Sequence, residues 1–386
     1  MTIITQAFYS FFKQFTVMKI TAITTLLISL ITFNSCKKDS PNDIGSSPGG
    51  DSGVYAVYSR GGQWRKREAF LWKDEIQTDL SNKLPIFSAS GTNLYTTAVA
   101  VSSTGDVYIA GAECLKVRQD VSFSSDFIDS CYTVLWKNGV KKYLNAVPVE
   151  RWFMKGQDVD MALNSNNDVF VLGRDGAADA GGYSIWKNET KIFDIEDLNA
   201  DVYKIFAKGN DVYVCGKTIL GSLPVAAVWK NGVLQTLNSN VESTAVSVSD
   251  NNDVYVGLRD GKLFKNNTAQ TALLSTAGNT ASYISDISCV GNDVYILGYT
   301  LGGETIIWKN GTQLYKLTSA IAEYNFVDML SVFVSGSDVY TSGVLSNSNT
   351  STGGPSAAVI YKNGSLYKTM FNGVGYLIHA SSVFVK

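Results

Sequence analysis

His379 is the only histidine among 386 residues, so histidine-based metal sites and Ser-His-Asp or Cys-His catalysis would all have to run through one side chain. The expected place for it is the core or the lining of a channel. The five cysteines, Cys36, Cys114, Cys131, Cys215 and Cys289, include no CxxC pair of the kind that holds zinc or cycles a disulfide. Asp120, Asp126, Asp175, Asp179 and Glu304 offer carboxylates for glycoside hydrolysis, but no spacing singles out two of them. An aspartate recurs ahead of Val-Tyr or Val-Phe. It lacks the alternating ligands and closing glutamate of a calcium loop, and is expected to bond its own turn backbone. Asn188-Glu-Thr and Asn310-Gly-Thr match glycosylation acceptors, yet they fall at hairpin turns. No metal or cofactor is expected, and binding is favoured over catalysis.

These side chains must be positioned by a repeat. One phrase recurs at Asp106–Gly111, Asp168–Gly173, Asp211–Gly216, Asp253–Gly257, Asp293–Gly298 and Asp338–Gly343. Each copy is followed by a second phrase, at Leu135–Gly139, Ile185–Asn188, Val228–Gly232, Leu263–Asn266, Ile307–Gly311 and Ile360–Gly364. Gly53–Tyr58 and Leu71–Asp74 form a worn first copy, which makes seven. A period of this order marks propeller blades. Each blade reads as four strands, with the Asp-Val-Tyr phrase second, Trp-Lys ending the third, and Asn-Gly making a tight hairpin into the fourth. Valine and isoleucine alternate with aromatic residues in the second strand, so both of its faces are apolar. That pattern suits a sheet packed on both sides, with the tryptophans in the joints between blades.

The chain ends complete the picture. Ala380–Val385 repeats the inner-strand phrase Met329–Val334 and stops where a second strand should begin, whereas the body starts at Gly53 with a second strand and no first. The expected fold is all-β: a seven-bladed β-propeller of four-stranded antiparallel blades over residues 54–386, closed by the C-terminal strand joining the N-terminal blade.

One propeller face should carry only short turns, such as Thr104-Gly105, Gly291-Asn292 and the Asn-Gly hairpins. The other should carry the long connections: Arg60–Glu68, Ala112–Ser130, Arg174–Gly182, Lys217–Pro224, Thr300–Glu304, Leu345–Ser356, Asn145–Gln157 and Ser319–Phe326. Variable loops on a rigid scaffold are where binding residues concentrate. Trp64, Arg65, Arg67, Arg118, Asp120, Trp152 and Tyr324 are the candidate ligand contacts, because aromatic planes beside Arg and Asp suit a glycan or a peptide. A packing role for Trp64 and Trp152 within their own loops is the alternative. Cys114 and Cys131 bracket the insertion of the second blade and are candidates for a disulfide. Cys215 and Cys289 read as buried thiols.

The N-terminus is an address. Met18-Lys19 precedes the apolar stretch Ile20–Phe33, a secretion signal too short to span a bilayer. Met18 is the better start, so residues 1–17 read as an upstream extension and residues 18–35 as the signal. The junction Phe33-Asn34-Ser35-Cys36 resembles a bacterial lipobox, which implies cleavage before Cys36 and lipidation of that residue. Residues 36–53, with Gly-Ser-Ser-Pro-Gly-Gly inside, form a flexible tether. Cys36-Lys-Lys-Asp-Ser resembles the start of mature Bacteroidota lipoproteins, and the repeat phrases resemble propeller lipoproteins of the same group. The resemblance implies an exported outer-membrane lipoprotein, with display at the cell surface as a further expectation.

A formal net charge of −2 excludes the basic footprint of a nucleic-acid binder. Arg65-Lys66-Arg67, with Arg60 nearby, reads as a solvated loop. The expected function is a monomeric binding or scaffolding module at the envelope, held to the membrane by its lipid and engaging a glycan, peptide or protein. The alternative is a propeller hydrolase or lyase acting on extracellular polysaccharide, and a structural member of an envelope complex is a third reading.

Overall fold

The computed structural model describes residues 53–61, 68–81, 92–118, 127–146, 148–151, 158–175, 182–197, 199–270, 275–276, 279–347, 355–374 and 376–386. These residues form seven antiparallel sheets of four strands running from the axis outward, two of which carry a fifth, short strand, Val149–Arg151 in the second blade and Ser275–Thr276 in the sixth. The first blade is built from both ends of the chain. Its innermost strand is Leu377–Val385, followed outward by Val54–Gly61, Glu68–Lys73 and Ile76–Asp79. Val54 pairs with Val385, Tyr55 with Phe384 and Ala56 with Val383, and Gly53 and Lys386 exchange both backbone hydrogen bonds at 3.1 Å. The closing strand therefore sits where the repeat requires it.

Seven clusters of buried side chains occupy the seven joints between neighbouring blades. Within Val54–Tyr58, Tyr55 and Val57 pack toward the second blade while Val54, Ala56 and Tyr58 pack toward the seventh. The same alternation explains why both faces of every second strand are apolar. Trp72, Trp136, Trp186, Trp229 and Trp308 are all buried, and all but Trp186 fall in the clusters between blades.

The repeated polar letters make a clamp that corrects the reading of the aspartate. In the second blade, Asn138 Oδ1 accepts the Val107 N–H at 2.8 Å, and Asn138 Nδ2 donates to Asp106 at 2.7 Å. Lys137 pairs with Asp106 at 2.9 Å while its ammonium lies 5.4 Å from the Tyr108 ring centre. The arrangement recurs at Asp168, Asp211, Asp253, Asp293 and Asp338. The aspartate thus ties its strand to the next hairpin and not to its own turn backbone, although Asp168 also accepts from the Asn164 side chain of its turn at 3.2 Å. The asparagine takes a left-handed conformation, φ 49° at Asn138, as a type I′ turn demands. In the first blade Asp74 takes the asparagine's place and accepts the Val54 N–H at 2.9 Å.

The phrase ends in glycine for a different reason. The innermost strands carry a β-bulge opposite it, seen as register shifts at Thr97, Tyr203, Thr244, Ser285 and Leu330. A Cβ on Gly111, Gly216, Gly298 or Gly343 would stand 2.0–2.2 Å from a carbonyl oxygen of that strand. No side chain fits.

Two expected loops are strand instead. Ala112 to Arg118 and Phe127 to Ser130 prolong a hairpin of the second blade, with Arg118 opposite Phe127. Lys217 to Leu220 and Leu223-Pro224 likewise continue strands of the fourth blade around a turn at Gly221. Arg60 also departs from expectation. It lies in a strand, pairs with Glu68 at 3.2 Å, and packs its guanidinium 4.6 Å from the ring centres of both Phe70 and Phe371. A cation held between two rings is not a solvated one.

Candidate functional site

The innermost strands bring one residue from each blade to the same level of the axis. The register sets Ala98, Asp160, Lys204, Ala245, Asp286, Ser331 and Ser382 at equivalent positions, just beyond the bulges. Three of them are charged, in strands otherwise built for burial. Asp160 accepts the Ile205 N–H of the next blade at 3.0 Å, and Asp286 accepts that of Val332 at 2.8 Å. Ser382 serves Val99 in the same way at 3.3 Å. These side chains cap open edges of neighbouring inner strands, which a buried backbone donor requires.

Lys204 has another role. Burial works against its charge, but Asp286 and Asp160 outweigh that effect and hold the ammonium above the usual lysine value. The fourth and sixth blades are not neighbours, so the attraction between Lys204 and Asp286 crosses the axis. Burial raises both carboxyls above the ordinary aspartate value, with Lys204 opposing. Among the described residues no hydrogen bond or close ion pair fixes the Lys204 ammonium.

One step toward the loop-rich face, the inner strands present Tyr95, Asp201, Glu242, Tyr283, Asp328 and His379. A chain of charges runs along this rim. Arg174 meets Asp158 at 3.2 Å and Asp201 at 3.6 Å, and Lys217 links Asp201 at 3.3 Å to Glu242 at 3.4 Å. Arg259 pairs with Glu242. Tyr203 donates to Glu242 at 3.1 Å, and Tyr299 donates to Asp328 while accepting the Met329 N–H at 2.7 Å. The Tyr283 and Tyr299 rings lie 5.8 Å apart. Burial, reinforced by Glu242, pushes the Tyr203 phenol well above its ordinary value; burial with Asp328 does so at Tyr299. These phenols stay protonated and able to donate. The opposite face carries the clamps.

The expected contacts fare unevenly. Trp64, Arg65, Arg67, Asp120 and Trp152 lie outside the described residues, as do Cys36, Asp126 and Asp179. Arg118 is placed in a strand by its backbone. Tyr324 is a correction: it is 3% exposed, belongs to the joint between the sixth and seventh blades, and bonds Asn372, so it covers core and offers no ligand surface. His379 is exposed at the axial rim, within the closing strand and not ahead of it, and so is not core. Asp175 and Glu304 are paired with Lys191 and Lys316. Cys114 and Cys131 sit directly opposite each other and are joined by a disulfide. Cys215 is buried and Cys289 half-buried. Among the described residues no group of three His, Cys, Asp or Glu could hold a metal ion.

Lys204, Asp160, Asp286 and the rim tyrosines were not singled out from sequence. Their signal was there: aligned inner-strand phrases show charges at a position that is Ala or Ser in the other blades.

Fold and site together define a seven-bladed propeller with a polar axial mouth on its loop-rich face. Solved structures similar to this chain include the computationally designed Ika8 protein, at 16% identity over 72% of this chain and 86% of that one, with a TM-score of 0.39. The beta-propeller domain of Myceliophteria thermophila Cps50 (Swd1) shares 11% identity over 75% of this chain and 99% of its own, with a TM-score of 0.41. The WD40 beta propeller domain of Doa1 shares 13% over 77% and 92%, with a TM-score of 0.44. No family model and no curated protein matches the chain.

Proposed function

We propose that this chain is a cell-envelope lipoprotein, anchored through Cys36, whose propeller is a monomeric binding module for a glycan, peptide or protein. The observation that carries the reading is the division of labour between faces. One face repeats the Asp-Lys-Asn clamp, while the other gathers tyrosines, Arg259, Lys217, Glu242 and Asp328 around the axis. Repetition suits scaffolding, and an irregular polar rim suits recognition. The lipobox and the Gly-Ser-rich tether that follows it support the anchor.

Palmitate labelling of the expressed chain tests the anchor: label is expected in the wild type and absent from Cys36→Ser. A glycan array and envelope cross-linking test the module. Trp64→Ala and Trp152→Ala are expected to weaken capture, and unchanged capture in both rejects those two contacts. A second reading, hydrolysis or elimination on an extracellular polysaccharide, draws support from the two carboxylates, Asp160 and Asp286, that interact across the axis. Release of new reducing ends from a polysaccharide panel, abolished in Asp286→Asn, would establish it.

A further inference from the structure

The axial charges are arranged for a ligand of a particular kind. The register of the inner strands sets Asp160, Lys204 and Asp286, from the third, fourth and sixth blades, at one level of the axis, and no hydrogen bond or close ion pair holds the Lys204 ammonium among the described residues. Each carboxylate accepts the N–H of a neighbouring inner strand, and Asp286 also takes the Ile287 N–H on its other oxygen at 3.0 Å, so the bonds hold both side chains in place while each oxygen keeps a further lone pair for a hydroxyl. Tyr283 lies within electrostatic reach of Lys204, Arg259, Glu242 and Asp328, and so joins the buried charges to the rim. Its ring and that of Tyr299 are only half-buried.

Charge limits what fits. An anion would meet Asp160, Asp286, Glu242 and Asp328, and a cation would meet Lys204 and Arg259. Either ion loses water that the site does not replace well. A neutral group bearing several hydroxyls has neither problem. Its hydroxyls donate to the aspartates and accept from the lysine, and its apolar C–H face packs on a tyrosine ring.

We propose that the axial mouth binds a neutral sugar ring, with Lys204, Asp160 and Asp286 contacting its hydroxyls and Tyr283 packing on its face. This deepens the binding-module reading and rests on it. It names the ligand class and moves the primary site from the outer loops to the axis.

The test is titration calorimetry of the full chain in detergent with glucose, galactose, mannose and N-acetylglucosamine, and with galacturonate and glucosamine as charged counterparts. A neutral sugar is expected to bind more tightly than its charged counterpart. Asp286→Asn, Lys204→Met and Tyr283→Ala are each expected to weaken it by about tenfold or more. Unfolding midpoints check that the variants are folded. Should Lys204→Met not fold, the nearly isosteric Asp286→Asn carries the test. Absence of binding by any neutral sugar, or unchanged affinity in folded Asp286→Asn, overturns the axial site. If the wild type then still captures an envelope glycan or protein through Trp64 or Trp152, the binding-module reading survives. If it captures nothing, both fall.

Discussion

At the scale of single residues, the clamp explains why the phrase Asp-Val-Tyr and the phrase Trp-Lys-Asn-Gly travel together. Asn138 satisfies the Val107 N–H, holds Asp106 and adopts a left-handed turn, three roles that alanine cannot fill. Asn138→Ala is expected to cost about 1–2 kcal/mol, read as a lower urea midpoint at unchanged slope. The six clamp aspartates are held below the ordinary carboxylate value, first by the lysine and then by the asparagine. Their folded pKa lies below the unfolded one. The stabilisation they give is therefore complete above the unfolded value of 3.8 and disappears as pH falls through the lower folded values. Asp160 and Asp286, raised by burial, pull the opposite way. Urea midpoints measured across acid pH should fall below about pH 4, and should do so less steeply in Asp106→Asn. Gly298→Ala puts a Cβ 2.2 Å from the Tyr283 carbonyl oxygen. It is expected to destabilise by about 1–3 kcal/mol and to disturb Tyr283 at the rim.

At the scale of elements, strand identity followed from sequence more readily than strand length. The second and third strands of each blade were legible because Val/Tyr alternation and the Asn-Gly turn are local chemistry. Ala112 to Arg118 reads as loop in the sequence because its extension is secured by pairing with Phe127 to Ser130 and by the cross-link, which period-two patterning does not announce. The disulfide between Cys114 and Cys131 lies in the joint between the second and third blades. With a sequence separation of 17, its removal in Cys114→Ser/Cys131→Ser is expected to cost about 3 kcal/mol. A wild-type thermal midpoint unchanged by reductant, or a double variant with the same midpoint as the oxidised wild type, would contradict this. The bulges were invisible in advance. They require an inner strand to be seen against its partner, and the glycine opposite is their only trace in one dimension.

At the scale of the whole molecule, ring closure is the cooperative step. Leu377–Val385 supplies Ile378, Ala380 and Val383 to the joint between the seventh and first blades, and pairs along the whole of Val54–Gly61. Deleting residues 377–386 would leave that strand with an open, apolar edge. The truncated chain is expected to unfold without a single cooperative transition and to associate on size-exclusion chromatography. A monomeric, cooperatively folded product would show that six complete blades suffice. The same closure creates the axis, and with it the meeting of Lys204 with Asp286 from non-neighbouring blades.

The sequence alone determined the blade count, the four-strand pattern, the joint tryptophans and the split closing blade, because each is written in local periodicity and in the phase of the repeat at the two ends. Only the tertiary structure decided what the clamp aspartates bond, that Tyr324 is core and that Arg60 is stacked between rings. It alone set three charges from separate blades at one level of the axis. Periodicity specifies how a strand lies in its own sheet. Contacts across the axis depend on how seven sheets are arranged around it, which no single segment encodes.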